Sequence, residues 1–452
     1  MLAQVALLNL LAFLAPAVGT PLQSEAALEP QKFSVEECVE HALKSNAQIQ
    51  EAQAKVAQWQ ARLKQVESLY YPKLMGLAYL APMFTVKGNA VDGVERRWKS
   101  YKDWGPYTHL EAILAQPLYS FGRIEAGKDA AKHRLEVEKA QVRATEHLVA
   151  REIKNYYYLH LFAKSLIPAL DNAAEILGTA QEKAQEMYDK GDGEVTLADL
   201  MKLEYGKSEI EKYILMASNG AALALSALKH TMGLSYNVNV ALKDKRMPRA
   251  KITKVGTLAQ ALVEAAANRP EWQQLSHGEQ AAISLEKAEK LANLPIVFLG
   301  GNFRFDWAPT RTDTDNPYHM DEYNNLYGGL ALGLQFNIDP ALASAKANEA
   351  KAIGQEVAAL KQFAESGIPL QVRKAHQEVS QAAQLAKISK RGEKAARKWM
   401  TFSAAAYATG TGEAKDVLEG LVAYLQAKRS YYESLLNFHV GNADLSLALG
   451  KK

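Results

Sequence analysis

His133 and His147 stand 14 residues apart within one long helical run, so both imidazoles face nearly the same way. Paired imidazoles on a helix could begin a metal site, but no third ligand accompanies these two and no metal is expected. Asp313, Asp315, Asp321 and Glu322 supply oxygen ligands whose spacing matches no EF-hand loop. No P-loop, G-x-S-x-G elbow or H-E-x-x-H occurs. Tyr156, Tyr157 and Tyr158 on the same helical run read as interhelical packing. The residues therefore point away from an enzyme and from any cofactor. What the chain does must come from how its elements arrange ordinary side chains.

The 452 residues carry 53 Lys+Arg against 50 Asp+Glu and a single Cys, a balance that gives no bulk reason to expect nucleic-acid binding and excludes a disulfide framework. Leu2 to Val18 is almost wholly apolar and leads through Ala15, Ala17 and Gly19 into the polar stretch 20–29. That pattern predicts a signal peptide over 1–27, cleaved between Ala17 and Ala27, although no Lys or Arg precedes Lys32. An N-terminal membrane anchor is the alternative. Cys38 lies beyond this window, so a lipid-bearing terminal cysteine is not expected. No later stretch reaches 18 uninterrupted apolar residues. A secreted, cysteine-poor chain fits a Gram-negative periplasm or outer membrane.

Internal repetition organises the rest. Tyr188, Gly191 and Gly193 recur as Tyr407, Gly410 and Gly412 at an offset of 219, which also pairs Tyr205 with Tyr424 and Tyr213 with Tyr432. Val35, Val39, Ala42 and Ala47 recur as Leu258, Leu262, Ala265 and Pro270 at an offset of 223, as Pro72 does in Pro295. Two repeats, 28–233 and 255–452, with a linker at 234–254, follow from this. In each the pattern predicts a helix, a β-hairpin (73–119 and 296–338), a long helix and a further helix. Residues 33–70 contain no Gly or Pro and open on a Ser34–Glu37 capping box, predicting one unbroken helix up to the Pro72 stop. The run 121–188 is about 100 Å long at about 1.5 Å per residue. Pro168 and Gly178 are expected to kink it. Helices of such length must pack lengthwise, as in a coiled coil or tubular bundle.

In the hairpins the period falls to 2. Val297, Leu299, Phe303, Phe305 and Trp307 alternate with Asn302, Arg304 and Asp306; Leu330, Leu332, Leu334, Phe336 and Ile338 alternate with Gly329, Ala331, Gly333, Gln335 and Asn337. Leu110, Ala112 and Leu114 stand against His109 and Glu111, and 73–85 is apolar on both tracks. Segments of about 10 residues with this alternation suit tilted strands in lipid, apolar side out. Tyr79, Tyr107, Trp307 and Tyr327 are expected in an interfacial aromatic belt. Four strands cannot seal a membrane barrel alone, because open edges leave backbone groups unpaired in lipid. The chain must therefore oligomerise, and three copies give twelve strands.

Several motifs in this order resemble the TolC-like outer membrane efflux proteins: Tyr71-Pro72-Lys73, Gln116-Pro117-Leu118-Tyr119, Tyr407 to Thr411 with Asp416-Val417-Leu418, and the closing run Asn442 to Gly450. The resemblance implies an α+β membrane protein, with long antiparallel helices forming an α-barrel across the periplasm. It implies a homotrimer in outer-membrane lipid with a 12-stranded β-barrel. The function implied is export of drugs, metals, other small molecules or proteins, with a periplasmic adaptor protein and an inner-membrane RND or ABC pump. Tyr407 matches the family's constriction tyrosine, and Asp416 and Glu419 its two acidic positions. Positions i and i+3 share a helix face, so three chains could ring a narrow, cation-favouring aperture; the same acids could equally be solvated helix-surface residues. Two departures follow from the comparison of motifs. Gly412 replaces an arginine that can close a latch, and Leu197 replaces an aspartate, with Asp199 and Glu194 nearby. Tyr188, Gly191, Gly410 and Gly412 mark turns that the resemblance places against the adaptor.

The first hairpin loop is basic (Lys87, Arg96, Arg97, Lys99, Lys102) and the second acidic, predicting electrostatic pairing of loops at the barrel mouth. A secreted coiled-coil structural or pore-forming protein without a pump is the alternative function.

Overall fold

The computed structural model describes residues 31–88, 98–191, 195–250, 256–313, 317–318 and 320–452. The signal segment, Glu194, Gly193, Arg96, Arg97 and Asp315 lie outside the described residues. From the N-terminal side the chain runs β1 (Gln31–Phe33), α1 (Val35–Ser45), α2 (Ala47–Glu67), β2 (Lys73–Lys87), β3 (Trp98–Tyr119), α3 (Arg123–Lys190) and α4 (Leu197–Thr231). The remainder runs β4 (Val240–Leu242), α5 (Leu258–Asn268), α6 (Pro270–Lys290), β5 (Ile296–Trp307), β6 (Asn325–Gln335), α7 (Pro340–Ala408) and α8 (Ala414–Ala448).

The helix expected over 33–70 is broken at Asn46, whose backbone is extended at φ −69° and ψ 130°. Its side chain accepts from the Gln48 and Ile49 N–H groups and donates to the Thr231 carbonyl at 2.8 Å. A side chain that caps the next helix and ties it to α4 outweighs simple continuation. The same break occurs 223 residues on, at Arg269, because Pro270 forces its predecessor out of the α region. The expected Ser34–Glu37 capping box forms, and Thr257–Gln260 repeats it. Gly233 and Gly450, at φ +70° and +72°, end α4 and α8. A Cβ on Gly233 would lie 2.4 Å from the Ser45 carbonyl oxygen, and one on Gly450 2.7 Å from the Asn268 carbonyl carbon. Each last helix thus presses its terminal glycine on the break of the first. The bounds of α4 and α8 differ by 217 at both ends, from 197 to 414 and from 231 to 448, against 219 at the turns. Tyr205 and Tyr424 therefore do not occupy equivalent places: Tyr205 is exposed and Tyr424 buried.

The helix α3 is continuous through Pro168. In the helical layer α2 and α4 lie against α3 and together form one margin, α6 and α8 each lie between α3 and α7, and α7 forms the other margin. The interior is built from small and branched residues, including Ala173, Leu177, Ala180, Leu203, Val417 and Leu421 near the turns. Around the helix breaks, Cys38, Ile49, Val149, Ile153, Tyr157, Leu228 and Leu435 are buried together. Burial pushes the Cys38 thiol up to about 12, so it packs as an inert apolar group. The linker is not a loose tether. Its strand β4 pairs in parallel with β1, Met247 N–H donates to Ser165 Oγ at 3.0 Å, and Tyr157 Oη donates to Asp244 at 2.8 Å.

The four long strands form one antiparallel sheet in the order β2-β3-β5-β6. β3 begins at Trp98, nine residues before the expected 107, and β6 ends at Gln335, so Phe336 and Ile338 lie past the strand. No described helix is long and apolar enough to cross a membrane.

Candidate functional site

Strand register decides which residues share a face. Val297, Leu299, Gly301, Phe303 and Phe305 of β5 stand opposite Leu334, Leu332, Leu330, Gly328 and Leu326 of β6. Leu110, Ala112 and Leu114 of β3 pair with Phe305, Phe303 and Gly301, and Leu74, Gly76 and Ala78 of β2 continue the row. One face is thus apolar across all four strands, and Leu80, Leu330 and Leu332 are each more than 70% exposed on it. Lone exposed leucines are ordinary; a contiguous face of them marks a surface that contacts something apolar.

The opposite face gathers polar residues that the sequence places 200 positions apart. Asp306, 1% exposed, accepts from Tyr107 Oη at 2.6 Å, His109 Nδ1 at 2.7 Å and Arg304 Nε at 2.5 Å. Tyr79 stacks on His109 at 4.7 Å, and Glu111 stands 3.7 Å from His109 Nε2. Tyr79, Tyr107 and Tyr327 were expected in an aromatic belt with Trp307; register puts these three on the polar face, and Trp307 alone on the apolar one. Phe298 lies over Gly300 and Gly333, where a Cβ on Gly333 would meet its ring at 2.7 Å. Near the hairpin loops, Val86 N–H donates to the Thr310 carbonyl at 3.1 Å and Gly88 N–H to Thr312 at 2.8 Å. Arg311 lies over the rings of Phe84 and Tyr323. The described contacts between the loops are thus hydrogen bonds and cation–π contacts, while the arginines expected to pair with acids lie outside the described residues.

At the far end of the helices, Gly191 and Gly410 take φ +73° and +77° and accept no Cβ without strain. Their N–H groups donate to the carbonyls of Tyr188 and Tyr407. These two tyrosines hold the same position relative to the turn but different environments. Tyr188 is exposed, whereas Tyr407 is 6% exposed among Leu203, Val417 and Leu421, with a buried hydroxyl that has no partner among the described residues. Burial first, and Asp199 second, raise the Tyr407 pKa. Lys183 of α3 donates to the carbonyls of Tyr407 (3.0 Å) and Ala408, capping the end of α7. Sequence spacing could not reveal this contact, because Lys183 and Tyr407 stand 224 positions apart.

Asp199 is held in a capping box with Thr196, whose hydroxyl donates at 2.6 Å and holds the carboxyl below its usual range, helped by Lys202 at 3.0 Å. Asp416 and Glu419 are both exposed, away from the buried Val417 and Leu421, and Lys415 stands 3.7 Å from Glu419. At Gly412 a Cβ would lie 3.0 Å from Ala406 Cβ and 3.1 Å from Tyr407 N, so a longer side chain there requires the turn to shift. Among the described residues no group of three His, Cys, Asp or Glu could hold a metal ion.

No protein-family model matches the chain, and no curated protein matches it. Solved structures do. The Campylobacter jejuni CmeC outer membrane channel is similar at TM-score 0.75 and 16% identity, over 97% of this chain and 94% of that one. The Vibrio cholerae outer membrane protein VceC is similar at 0.73 and 16%, over 92% and 96%. CusC, described in terms of folding and transmembrane channel formation, is similar at 0.73 and 15%, over 96% of both chains. This chain has the fold of these proteins.

Proposed function

We propose that this chain is one protomer of a trimeric outer-membrane channel tunnel. It exports small molecules (drugs, metals or other toxic compounds) or proteins from the periplasm with an adaptor protein and an inner-membrane RND or ABC pump. The observation that carries the reading is a sheet that is apolar over one whole face and open at both edges, β2 and β6. In lipid those edges must be paired. Strands alternate in direction from β2 to β6, so β2 of a second copy can join β6 antiparallel and continue the alternation.

The helical layer supports the same closure. Its margins carry exposed apolar residues at matching heights near the turns: Leu197, Met201 and Tyr205 on α4, and Trp399 and Phe402 on α7. Spacings of 3 and 4 residues put each stripe on one face. Docking α7 of one copy on α4 of the next buries both stripes and closes a tube. The polar sheet face then lines the lumen. Asp416 and Glu419 from three chains line the periplasmic aperture, and the turns at Tyr188, Gly191, Gly410 and Gly412 face the adaptor. With Gly412 in the place of the latch arginine, no side chain from that position closes the tip.

Reconstitution of the purified mature protein in planar lipid bilayers tests the reading. The expected result is a cation-favouring conductance that loses selectivity in the Asp416→Asn, Glu419→Gln double variant. A protein that stays soluble without detergent and conducts nothing would support the secreted coiled-coil alternative instead.

A further inference from the structure

The sequence pairs His133 with His147 on one helix, but the structure sets His133 of α3 against His277 of α6. Their Nδ1 atoms are 3.1 Å apart, with ring centroids at 5.4 Å and ring planes at 31°. Both side chains are half-buried, so an ion can reach them from solvent. Two neutral imidazoles can meet nitrogen to nitrogen in two ways: by sharing one proton, or by sharing one metal ion. A metal holding both nitrogens at about 2.05 Å, across a separation of 3.1 Å, subtends an angle of about 98°. That falls between the square-planar 90° and tetrahedral 109° preferred by Cu²⁺, Ni²⁺ and Zn²⁺ with imidazole ligands, roughly.

We propose that His133 and His277 form a bis-histidine site for a divalent transition-metal ion, which clips the first repeat to the second. The ion enters as the histidine that carries the shared proton on Nδ1 changes tautomer, giving that proton to solvent and taking one at Nε2, so both imidazoles stay neutral with both Nδ1 lone pairs free for the metal, and water fills the remaining coordination positions. Asp129, one turn before His133 on the same helix face, adds negative charge near a bound cation, while Glu136 one turn after it is paired with Lys139 at 2.7 Å. The surrounding seam between α3 and α6 is polar: Gln274 donates to Gln141 at 3.0 Å, and Arg143 donates to Gln273. Such a seam tolerates a hydrated ion where an apolar interface would not. Among first-row ions Cu²⁺ binds most tightly.

The site is independent of whether the chain conducts anything, and its test uses Cu²⁺ alone with the detergent-solubilised full mature protein. Copper titration followed by electron paramagnetic resonance is expected to show one Cu²⁺ per chain with two equivalent nitrogen donors. His133→Gln and His277→Gln should each remove that two-nitrogen signal and weaken binding by more than about 10-fold, since even an outer-shell partner is commonly worth 10–100-fold. His147→Gln, about four turns further along nearly the same face of the helix, should leave the signal intact. Circular dichroism of each variant in the absence of copper separates loss of the site from loss of the fold. A wild-type protein with no two-nitrogen copper signal, or a signal unchanged in both His133→Gln and His277→Gln, overturns the proposal.

Discussion

Replacing Asp306 by alanine removes the acceptor that joins β3 to β5. The carboxylate takes hydrogen bonds from Tyr107, His109 and Arg304 at 2.6, 2.7 and 2.5 Å. Arg304 is about a third exposed and can turn to water, but Tyr107 and His109 are only 8% and 5% exposed and cannot. Each buried donor left without a partner costs about 1–3 kcal/mol, so the two together cost about 2–6 kcal/mol. A domain of 150–250 residues loses about 2–4 °C per kcal/mol and a longer chain loses less, so the unfolding midpoint of this 452-residue chain in detergent should fall by a few °C, about 2 °C or more. Asp306→Asn keeps one acceptor oxygen and should fall between wild type and alanine. Amide hydrogen exchange followed by mass spectrometry supplies the local readout, with the rise in exchange concentrated in peptides spanning 104–114 and 300–307. A midpoint unchanged in Asp306→Ala, with exchange in those peptides also unchanged, would refute the assignment of this network as the strut between β3 and β5.

Lys183→Met removes the cation that caps the last carbonyls of α7, an interaction worth about 0.3–1 kcal/mol at a helix C-terminus; exchange in residues 405–411 should quicken while the sheet is unaffected, and equal rates in both proteins would count against the cap. Gly410→Ala meets no atom within 4 Å of the new Cβ, so its cost is backbone strain alone at φ +77°, about 1–2 kcal/mol; Gly410→Asn, better suited to that region, should recover part of the lost thermal stability, and no difference between them would contradict the strain argument. Burial lowers the pKa of His147, His160 and His439, so the folded chain binds fewer protons than the unfolded one below the ordinary histidine pKa of about 6.5. Stability from these groups is complete above that pH and falls as pH drops through it; unfolding midpoints measured from pH 7.5 to 5 should decline, and less steeply in a His160→Gln, His439→Gln double variant.

Much of the fold is legible in the sequence because its signals are long and local. Alternation over β5 and β6, the capping boxes at Ser34 and Thr257, and the turn glycines Gly191 and Gly410 each act through a backbone rule that neighbouring residues express. What is not legible depends on partners far along the chain. Asn46 reads as one more helical residue until Thr231 is seen to accept from its side chain. Tyr79 and Tyr107 read as belt aromatics until register sets them beside His109 and Asp306. The end of β6 at Gln335 leaves Phe336 outside the strand, although its alternation continues unbroken through Ile338. The candidate aperture shows the same limit. Spacing alone places Asp416 and Glu419 on one face, but only the structure shows Tyr407 turned into the core and Asp199 committed to a cap.

Native mass spectrometry of the purified mature protein, released from detergent micelles, addresses the number of chains that complete the sheet. Three copies are predicted, dissociating when Phe402 on the α7 stripe and Leu197 on the α4 stripe are both changed to glutamate. A single copy, stable without detergent and with β2 and β6 protected from exchange, would contradict the account.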